Sequence, residues 1–327
     1  MVNNSRILII SYNFPPDISA GAFRMYNLIK HLSKYENLSI DIVTSTPNRY
    51  SNFKSLKENN YFENCQNVNI YKIESLFSNT GFLKEILTYL NYFIKTIQYS
   101  KKNNYNLIFA TSSRLMTGFL GAYISKFKKV PFYFDIRDIF LDTLKYSNTL
   151  FYFLLYPFLQ YLEHFTVKNS QHINIVSKGF EKYFKNKYKI NSLSINTNGI
   201  DDNFIKYFKN RKVSFPRRSK IEVLYVGNVG DGQGLHKIIP NILQNIDNNV
   251  NFKIIGSGRK LGILKKIMLK KNIIKCKFVD PIDRELLMSE YDKASILFLH
   301  LNDYEAFYKV LPSKIFEYAT TGKPIIA

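Results

Sequence analysis

Residues 221–235, IEVLYVGNVGDGQGL, join an apolar run to a glycine-rich turn. The first six residues are apolar except for Glu222, as is typical of a strand buried on both faces of a parallel sheet. The turn that follows contains Gly227, Gly230, Gly232 and Gly234. Because glycine lets the backbone turn sharply and approach a ligand closely, the stretch predicts a strand, a binding turn and the start of a helix.

Similar apolar runs alternate with amphipathic stretches along the chain. The other predicted strands cover residues 6–14, 38–45, 106–112, 131–138, 172–177, 192–200, 251–258, 276–280 and 295–301. This alternation indicates parallel sheets covered on both faces. Since the pattern restarts near residue 190, we predict an α/β protein with two doubly wound, Rossmann-like domains, 1–189 and 190–327, that face a cleft. Residues 201–220 are predicted to be a polar, basic connector.

Composition places the chain among folded proteins of the cytosol. It has 327 residues, of which 46% are hydrophobic and 22% charged, which excludes disorder. Cys65 and Cys276 lie far apart without metal-ligand spacing, which favours a reducing compartment. The N-terminal apolar run is too short for a signal peptide, and residues 150–162, interrupted by Pro157, are too few to span a bilayer.

The net charge of +21 predicts attraction to polyanions: nucleic acid, an anionic membrane or a phosphorylated substrate. A generally lysine-rich composition is an alternative origin of this charge. No nucleic-acid-binding module is recognisable, and the aromatic residues, 16% of the chain, lie in apolar runs. We therefore expect no nucleic-acid partner, although salt-dependent binding to DNA would reopen that alternative.

Three glycine turns follow predicted strands. The first contains Gly21, the second begins with Gly227, and the third contains Gly256, Gly258 and Arg259. Such turns expose free N–H groups to a phosphate, although tight turns use glycine for other reasons too. None of them matches the Walker or Rossmann nucleotide-binding pattern.

Residues 311–327, LPSKIFEYATTGKPIIA, predict a helix that starts at Ser313 and a strand that begins at Ile325. Lys314 lies in the first turn, where a cation is unfavourable unless an anion also binds there. Glu317, on the same helical face, would accept hydrogen bonds from sugar hydroxyls. The alternative is an ordinary surface helix with both side chains solvated.

These motifs, together with NTNGID (residues 196–201) and DIRDIFLDTL (residues 135–144), resemble the family 4 glycosyltransferases of the two-Rossmann-domain, GT-B type. The likeness is to the branch that adds sugars, often N-acetylated aminosugars, to lipid-linked O-antigen or capsule precursors. It implies retaining transfer from a nucleotide sugar, UDP rather than GDP, without a metal or cofactor. The sequence has no Asp-any-Asp pair for a divalent ion.

The resemblance also implies where the substrates bind. The N-terminal domain would hold the acceptor. The C-terminal domain would hold the nucleotide, and Gly21 would approach the donor phosphates. The implied donor site comprises Gly21, Gly227, Asn228, Gly256, Gly258, Arg259, Ser313, Lys314 and Glu317.

The sequence departs from the family pattern at several positions. Many members have a glutamate eight positions before the one matching Glu317, and here that position is Lys309, with Glu305 one helical turn away. Glu305 is therefore our substitute candidate for contact with the donor sugar. The phosphate-binding arginine and lysine of many members are replaced by Asn228 and Gln233. Arg259 and Lys314 are then the phosphate candidates.

Catalysis needs stabilisation of the leaving diphosphate and a proton acceptor for the attacking hydroxyl. Asp138, at a predicted strand exit, is the preferred acceptor-side carboxylate, and Asp135 is second. Asp138 could instead cap the next helix or pair with Arg137. His300, at another strand exit, could line the cleft, although a lone histidine is often structural.

A lipid-linked acceptor would bring the protein to the inner face of the plasma membrane. Residues 87–102 are apolar on one side and surrounded by lysines, so they are the better membrane-binding candidate. Residues 150–165 are predicted to pack in the core.

Two further expectations follow from the resemblance. Family members continue beyond the strand that begins at Ile325, so the second domain is expected to be incomplete, with lower stability and weak or absent turnover. Nucleotide-sugar 2-epimerases share the fold and form the alternative enzyme class.

Overall fold

The computed structural model describes residues 4–17, 19–46, 62–63, 65–77, 82–112, 115–144, 150–190, 192–209, 211 and 221–327. The chain divides into two compact units, each with its own parallel sheet and core. The N-terminal unit comprises Met1–Asn198 and Tyr308–Leu311, and the C-terminal unit comprises Gly199–Phe307 and Pro312–Ala327.

The N-terminal unit alternates strands and helices. Its elements are β1 (Ser5–Ile10), α1 (Ala20–Leu32), β2 (Leu38–Ser45), β3 (Val68–Ile73), α2 (Phe82–Ser100), β4 (Leu107–Thr111), α3 (Leu115–Lys128), β5 (Phe132–Ile136), α4 (Phe140–Leu144), α5 (Leu150–Lys168), β6 (His172–Ile175), α6 (Glu181–Tyr188) and β7 (Leu193–Ile195). The strands form one sheet in the order β3-β2-β1-β4-β5-β6-β7, and every pairing is parallel.

Apolar side chains cover both faces of this sheet. Leu8 and Ile10 of β1 belong to one buried cluster, with residues of α2, α3 and α5. Ile9 points to the other face and packs with Met25 and Ile29 of α1. The continuous apolar runs of the sequence therefore form strands covered on two sides.

A short segment from late in the chain completes the N-terminal unit. Residues 308–311 lie against the 3₁₀ helix Lys178–Phe180, where a Cβ at Gly179 would overlap the backbone of Lys309. Ser177 Oγ donates a hydrogen bond to the Lys309 carbonyl, and Lys309 Nζ lies 2.7 Å from Asp142 Oδ2. A hydrogen bond, an ion pair, the packing of Val310 against the core and the contact of Lys309 with the Tyr183 ring thus help to hold the segment.

The C-terminal unit repeats the same alternation. Its elements are α7 (Asp202–Lys209), β8 (Ile221–Val226), α8 (Leu235–Gln244), β9 (Val250–Ile255), α9 (Leu261–Lys270), β10 (Cys276–Val279), α10 (Arg284–Lys293), β11 (Ile296–Phe298), α11 (Lys314–Thr320) and β12 (Ile325–Ile326). The parallel sheet has the order β10-β9-β8-β11-β12. One face buries Ile239 and Leu264, and the other buries Tyr291 and Tyr318.

The predicted α/β class and the two Rossmann-like sheets are confirmed, with three differences in detail. The predicted strand at residues 192–200 pairs with β6 as β7, so the first sheet extends beyond residue 189. The connector predicted at residues 201–220 begins with helix α7, because Phe204 and Phe208 are buried in the core. Residues 210 and 212–220 lie outside the described residues. Strand β3 was not predicted.

Among the described helices, none combines the length and the apolar character needed to cross a bilayer.

Candidate functional site

The glycine turn after β8 is shaped by a lysine from α11. Gly227 has a φ of +133°, and a Cβ at this position would overlap the end of the Lys314 side chain. The backbone conformation therefore favours glycine, and the absence of a side chain leaves the room that the end of Lys314 occupies. Within the turn, Oε1 of Gln233 accepts hydrogen bonds from Asn228 Nδ2 at 2.8 Å and from Gly230 N at 3.2 Å. Gln233 thus stabilises the conformation of the turn through these two hydrogen bonds.

The turn after β9 is bonded to the turn after β8. Gly256, with a φ of +146°, lies so close to Gly227 that a Cβ would overlap the Gly227 carbonyl oxygen. A Cβ at Gly258 would also overlap the carbonyl of Val229, and Val229 N donates to Ser257 O at 2.9 Å. Two of the three predicted glycine turns therefore form one backbone cluster at the carboxyl ends of neighbouring strands, where parallel sheets bind ligands.

The ammonium of Lys314 lies in this cluster with little to neutralise it. Its Nζ is 3.3 Å from the Tyr225 hydroxyl and 4.9 Å from the centre of the Tyr225 ring. Burial lowers the pKa of Lys314 to about 8, although the charge of Glu317 opposes that shift. No carboxylate of the described residues lies within ion-pair distance of Lys314 Nζ. A desolvated cation without a counter-ion favours the binding of an anion.

Glu317 is held by side chains from two other elements. Its Oε1 accepts a hydrogen bond from Arg284 Nη1 at 2.8 Å, and its Oε2 accepts one from the Tyr291 hydroxyl at 2.8 Å. Arg284 also donates to Asp201 Oδ2 at 2.6 Å. Burial would lower the pKa of Arg284, but these two carboxylates outweigh it and the pKa is raised. Each oxygen of Glu317 still has a lone pair for a ligand hydroxyl.

The sequence did not indicate Arg284 as a site residue. Its two acidic partners are 83 and 33 residues away along the chain, and no local motif connects them. Only the packing of α10 beside α11 brings the guanidinium to Glu317.

The remaining predicted residues of the C-terminal unit have varied surroundings. Ser313 occupies the N-cap position of α11, but its hydroxyl makes no capping hydrogen bond. Arg259 is exposed just before α9. Glu305 is exposed at the start of a 3₁₀ helix and makes no hydrogen bond to the described residues. His300 Nδ1 lies 2.7 Å from the Gln233 carbonyl, which gives His300 a structural role in the same loop.

In the N-terminal unit, Gly21 lies at the start of α1 beneath an arginine. A Cβ at Gly21 would overlap the Arg137 guanidinium, so the glycine makes room for a cation from the loop after β5. Asp138, the next residue, is exposed. The contact of Gly21 with donor phosphates and the role of Asp138 stay predictions.

Asp135, the second candidate, is part of a buried structural network. Its side chain is 1% exposed and accepts hydrogen bonds from Arg24 at 2.9 and 3.0 Å, from Asn174 at 2.7 Å and from Thr111 at 3.2 Å. Four donors leave little capacity for a proton from a substrate. Asp135 therefore stabilises the carboxyl ends of β4, β5 and β6.

Residues 206–327 match the family model described as "Glycosyl transferases group 1". The matched segment contains β8, β9, Lys314 and Glu317. No curated protein matches the chain by sequence.

Solved structures resemble the chain over nearly its whole length. Alr3699/HepE from Anabaena, in complex with UDP and glucose, has 14% identity, covers 99% of this chain and 80% of its own, and gives a TM-score of 0.68. Sucrose-phosphate synthase from Thermosynechococcus elongatus has 16% identity, coverages of 99% and 81%, and a TM-score of 0.70. The fold is that of the GT-B glycosyltransferases.

A UDP-GlcNAc 2-epimerase from Neisseria meningitidis, bound to UDP-GlcNAc, is also similar, with 14% identity, coverages of 98% and 82%, and a TM-score of 0.60. At these identities the resemblance concerns the fold alone.

Lys309 occupies the position at which the family resemblance implies a glutamate. Its ammonium is paired with the carboxylate of Asp142.

Among the described residues, no group of three or more His, Cys, Asp or Glu side chains could hold a metal ion.

Proposed function

We propose that this chain is a retaining, metal- and cofactor-independent glycosyltransferase that uses a nucleoside diphosphate sugar. The observation that carries the proposal is the partly buried ammonium of Lys314, which lies against Gly227 without a carboxylate partner among the described residues. Departure of a nucleoside diphosphate places negative charge on phosphate oxygens, and a desolvated cation stabilises that charge strongly. The match of this segment to glycosyl transferases group 1 supports the same conclusion.

The proposed roles of the other residues follow from their chemistry. Backbone N–H groups of the glycine cluster and Arg259 would contact the diphosphate, and Glu317, oriented by Arg284, would accept hydrogen bonds from ribose hydroxyls. Asp138 would accept the proton of the acceptor hydroxyl, and Glu305 would contact the donor sugar.

The substrates are part of the same proposal. The donor would be a UDP sugar, by preference an N-acetylated aminosugar, because solved structures of the same fold contain UDP or UDP-GlcNAc. The acceptor would be a lipid-linked saccharide in surface polysaccharide synthesis.

The first test is ligand-observed NMR with UDP, GDP, ADP and a short oligonucleotide. We expect saturation transfer to UDP that falls at least several-fold in Lys314→Ala and in Glu317→Ala. Lys277→Ala is the matched control, because Lys277 is exposed on the edge strand β10. Transfer only to the oligonucleotide, equal in all variants, would replace the transferase with a nucleic-acid-binding protein.

A nucleotide-sugar 2-epimerase is the second candidate, since an enzyme with this activity has the same fold. A 2-epimerase inverts C2 of a UDP sugar without any acceptor, whereas transfer requires one. Incubation of UDP-GlcNAc with the protein in the absence of acceptor separates the two, because formation of the C2-epimeric UDP sugar, or of UDP and the free C2-epimeric sugar by addition of water, would identify the epimerase.

We further propose that the protein works at the inner face of the plasma membrane as a peripheral protein. The α2 helix has an exposed apolar stripe at helical spacing, which includes Leu83 (73% exposed), Leu87 (49%), Leu90 (47%) and Ile94 (54%). Lysines lie on and just after the same helix, at positions 84, 95, 101 and 102. An apolar stripe with a basic border suits the surface of an anionic bilayer, where each lysine contributes about 1 kcal/mol.

The α5 helix also exposes apolar side chains. It packs on the core through Leu162 and Val167, as expected, but Leu154, Phe158 and Tyr161 are exposed on its other side. Residues 150–165 are thus a second membrane-binding candidate rather than a purely internal helix.

Vesicle sedimentation tests this surface. We expect the protein to pellet with vesicles that contain phosphatidylglycerol, and Leu87→Glu/Ile94→Glu to lose at least tenfold in partitioning. Ile274→Glu is the control, because Ile274 is 93% exposed but lies in the C-terminal unit. Equal pelleting of all three proteins would contradict membrane binding through α2.

A further inference from the structure

Two fully buried tyrosines contact the two polar side chains of α11 that the proposed nucleotide site uses. Tyr225 of β8 contacts Lys314, and Tyr291 of α10 contacts Glu317. Both tyrosines are 0% exposed, and their rings belong to different buried clusters of the C-terminal unit. A side chain without exposed surface acts on a ligand through the groups that it contacts.

The Tyr225 hydroxyl connects Lys314 to the glycine turn after β8. It donates a hydrogen bond to the Asn228 carbonyl at 2.6 Å and accepts one from Lys314 Nζ at 3.3 Å. A phenol has one proton, so its donation to Asn228 leaves the oxygen lone pairs for the ammonium. Among the described residues, no other side-chain oxygen accepts a hydrogen bond from Lys314 Nζ. The position of this ammonium therefore depends on the Tyr225 hydroxyl.

The Tyr291 hydroxyl fixes the second oxygen of Glu317. It donates to Oε2 at 2.8 Å, while Arg284 donates to Oε1 at 2.8 Å. Burial and the charge of Glu317 raise the pKa of Tyr291 well above its ordinary value, so the phenol remains a donor. With a donor on each oxygen, the carboxylate cannot rotate without losing a hydrogen bond. Its plane is therefore fixed before a ligand arrives.

Packing holds both hydroxyls in place. The Tyr291 ring makes edge contacts with Phe204 and Tyr318, at centroid distances of 5.7 and 5.6 Å. The Tyr225 ring belongs to the buried cluster that contains Ile239. Because protein interiors are close-packed, such a ring holds its hydroxyl at one point. A lysine or glutamate fixed by that hydroxyl loses less conformational entropy when a ligand binds.

We infer that Tyr225 and Tyr291 are positioning residues for the nucleotide: Tyr225 fixes the Lys314 ammonium for the diphosphate, and Tyr291 fixes the Glu317 carboxylate for the ribose hydroxyls. The inference rests on the proposed function, because it takes the ligand to be a nucleoside diphosphate. It divides nucleotide recognition into two parts, each supported by its own phenol hydroxyl. Replacement by phenylalanine removes the hydroxyl but keeps the ring, so it separates the two parts with little change in packing.

The test compares three ligands by ligand-observed NMR titration: UDP, uridine, which lacks the diphosphate, and 2′,3′-dideoxy-UDP, which lacks the ribose hydroxyls. Tyr225→Phe should lose about tenfold in affinity for UDP and dideoxy-UDP and bind uridine as before. Tyr291→Phe should lose affinity for UDP and uridine and bind dideoxy-UDP as before. Equal losses for all three ligands in either variant would indicate a merely structural role and overturn the inference for that tyrosine.

Tyr92→Phe is the matched control. The Tyr92 hydroxyl is also buried and donates to a backbone carbonyl, that of Val43 at 3.0 Å, but it lies in the N-terminal unit. Its removal should leave the affinity for all three ligands unchanged. A loss in this variant equal to that in Tyr225→Phe would assign the effect to general destabilisation and overturn the inference.

A second measurement tests the contact of Tyr225 with Lys314 without any ligand. In protein labelled with ¹³C-lysine, the signal that disappears in Lys314→Ala belongs to Lys314, and its chemical shift against pH gives the pKa. Tyr225→Phe removes the acceptor of the ammonium, which disfavours the charged form, so the pKa of Lys314 should fall. It should stay unchanged in Tyr92→Phe. An unchanged pKa in Tyr225→Phe would overturn the role of Tyr225.

The wild-type protein separates this inference from the proposed function. Absence of UDP binding to the wild-type protein would overturn the proposed function itself. UDP binding to the wild-type protein, with affinities in both phenylalanine variants equal to those of wild type, would overturn only the inference and leave the nucleotide site.

Discussion

At the scale of single residues, the partly buried ammonium of Lys314 is expected to make nucleotide binding depend on pH. Its pKa of about 8 in the folded protein lies below the ordinary lysine value, so the side chain loses its charge as the pH rises through 8. If the diphosphate binds the charged form, UDP affinity should fall by about tenfold between pH 7 and pH 9. Calorimetric titration in buffers of different ionisation enthalpy would also detect proton uptake on binding near pH 8.

Lys314→Arg provides the control for this prediction, because a guanidinium stays charged over the whole range. Its UDP affinity should be lower or equal at pH 7 but nearly flat up to pH 9. The same pH dependence in the arginine variant would assign the titration to another group.

At the scale of elements, the contact between the turns after β8 and β9 tolerates no side chain. Gly256→Ala would place a Cβ on the Gly227 carbonyl in a left-handed backbone conformation. We expect a loss of about 2–4 kcal/mol in the free energy of unfolding and loss of UDP binding.

Gly262→Ala is the matched substitution, because Gly262 lies in α9 with nothing within 4 Å of a Cβ. It should stabilise the protein by about 0.5–1 kcal/mol. Urea denaturation measures both changes, and equal stabilities for the two variants would contradict the close contact of the turns.

Elements also show how far the sequence could predict this structure. Strands such as β2 and β8 were predicted because they are buried on both faces and read as continuous apolar runs. The edge strand β3 was not, since Asn69 and Lys72 interrupt its apolar residues. The α7 helix resembled a connector because Phe204 and Phe208 are separated by polar residues in a short basic stretch.

The candidate site could be predicted only where its residues are close together in sequence. The glycine content of the turns, and the position of Lys314 in the first turn of a predicted helix, are visible in the sequence and indicated these residues. The position of Arg284 beside Glu317 depends on tertiary packing, so no spacing in the sequence could indicate it.

At the scale of the whole molecule, the two units should respond differently to UDP, because the clustered candidate nucleotide residues belong to the C-terminal unit. At a UDP concentration of 100 times the Kd, binding contributes about 2.7 kcal/mol to the stability of the site. Hydrogen exchange should slow in β8, β9 and α11 and remain unchanged in β2 and β3. Hydrogen exchange that slows only in β2 and β3 would contradict a nucleotide site in the C-terminal unit.

Hydrogen exchange at the start of α1 tests whether Gly21 contacts the donor phosphates. Slower exchange around Gly21 in the presence of a UDP sugar would support its predicted contact with donor phosphates. Unchanged exchange there would leave the Arg137 guanidinium as the reason for the glycine.

The segment 308–311 has a consequence for how the protein is made. Ser177 and the Lys309 carbonyl that it contacts are 132 residues apart along the chain. At ordinary rates of translation, the ribosome adds that many residues in on the order of ten seconds. The nascent chain therefore emerges with all seven strands of the first sheet well before the segment that completes their unit. During synthesis the first unit therefore has to fold without residues 308–311. These residues become available only after most strands of the second sheet have been synthesised.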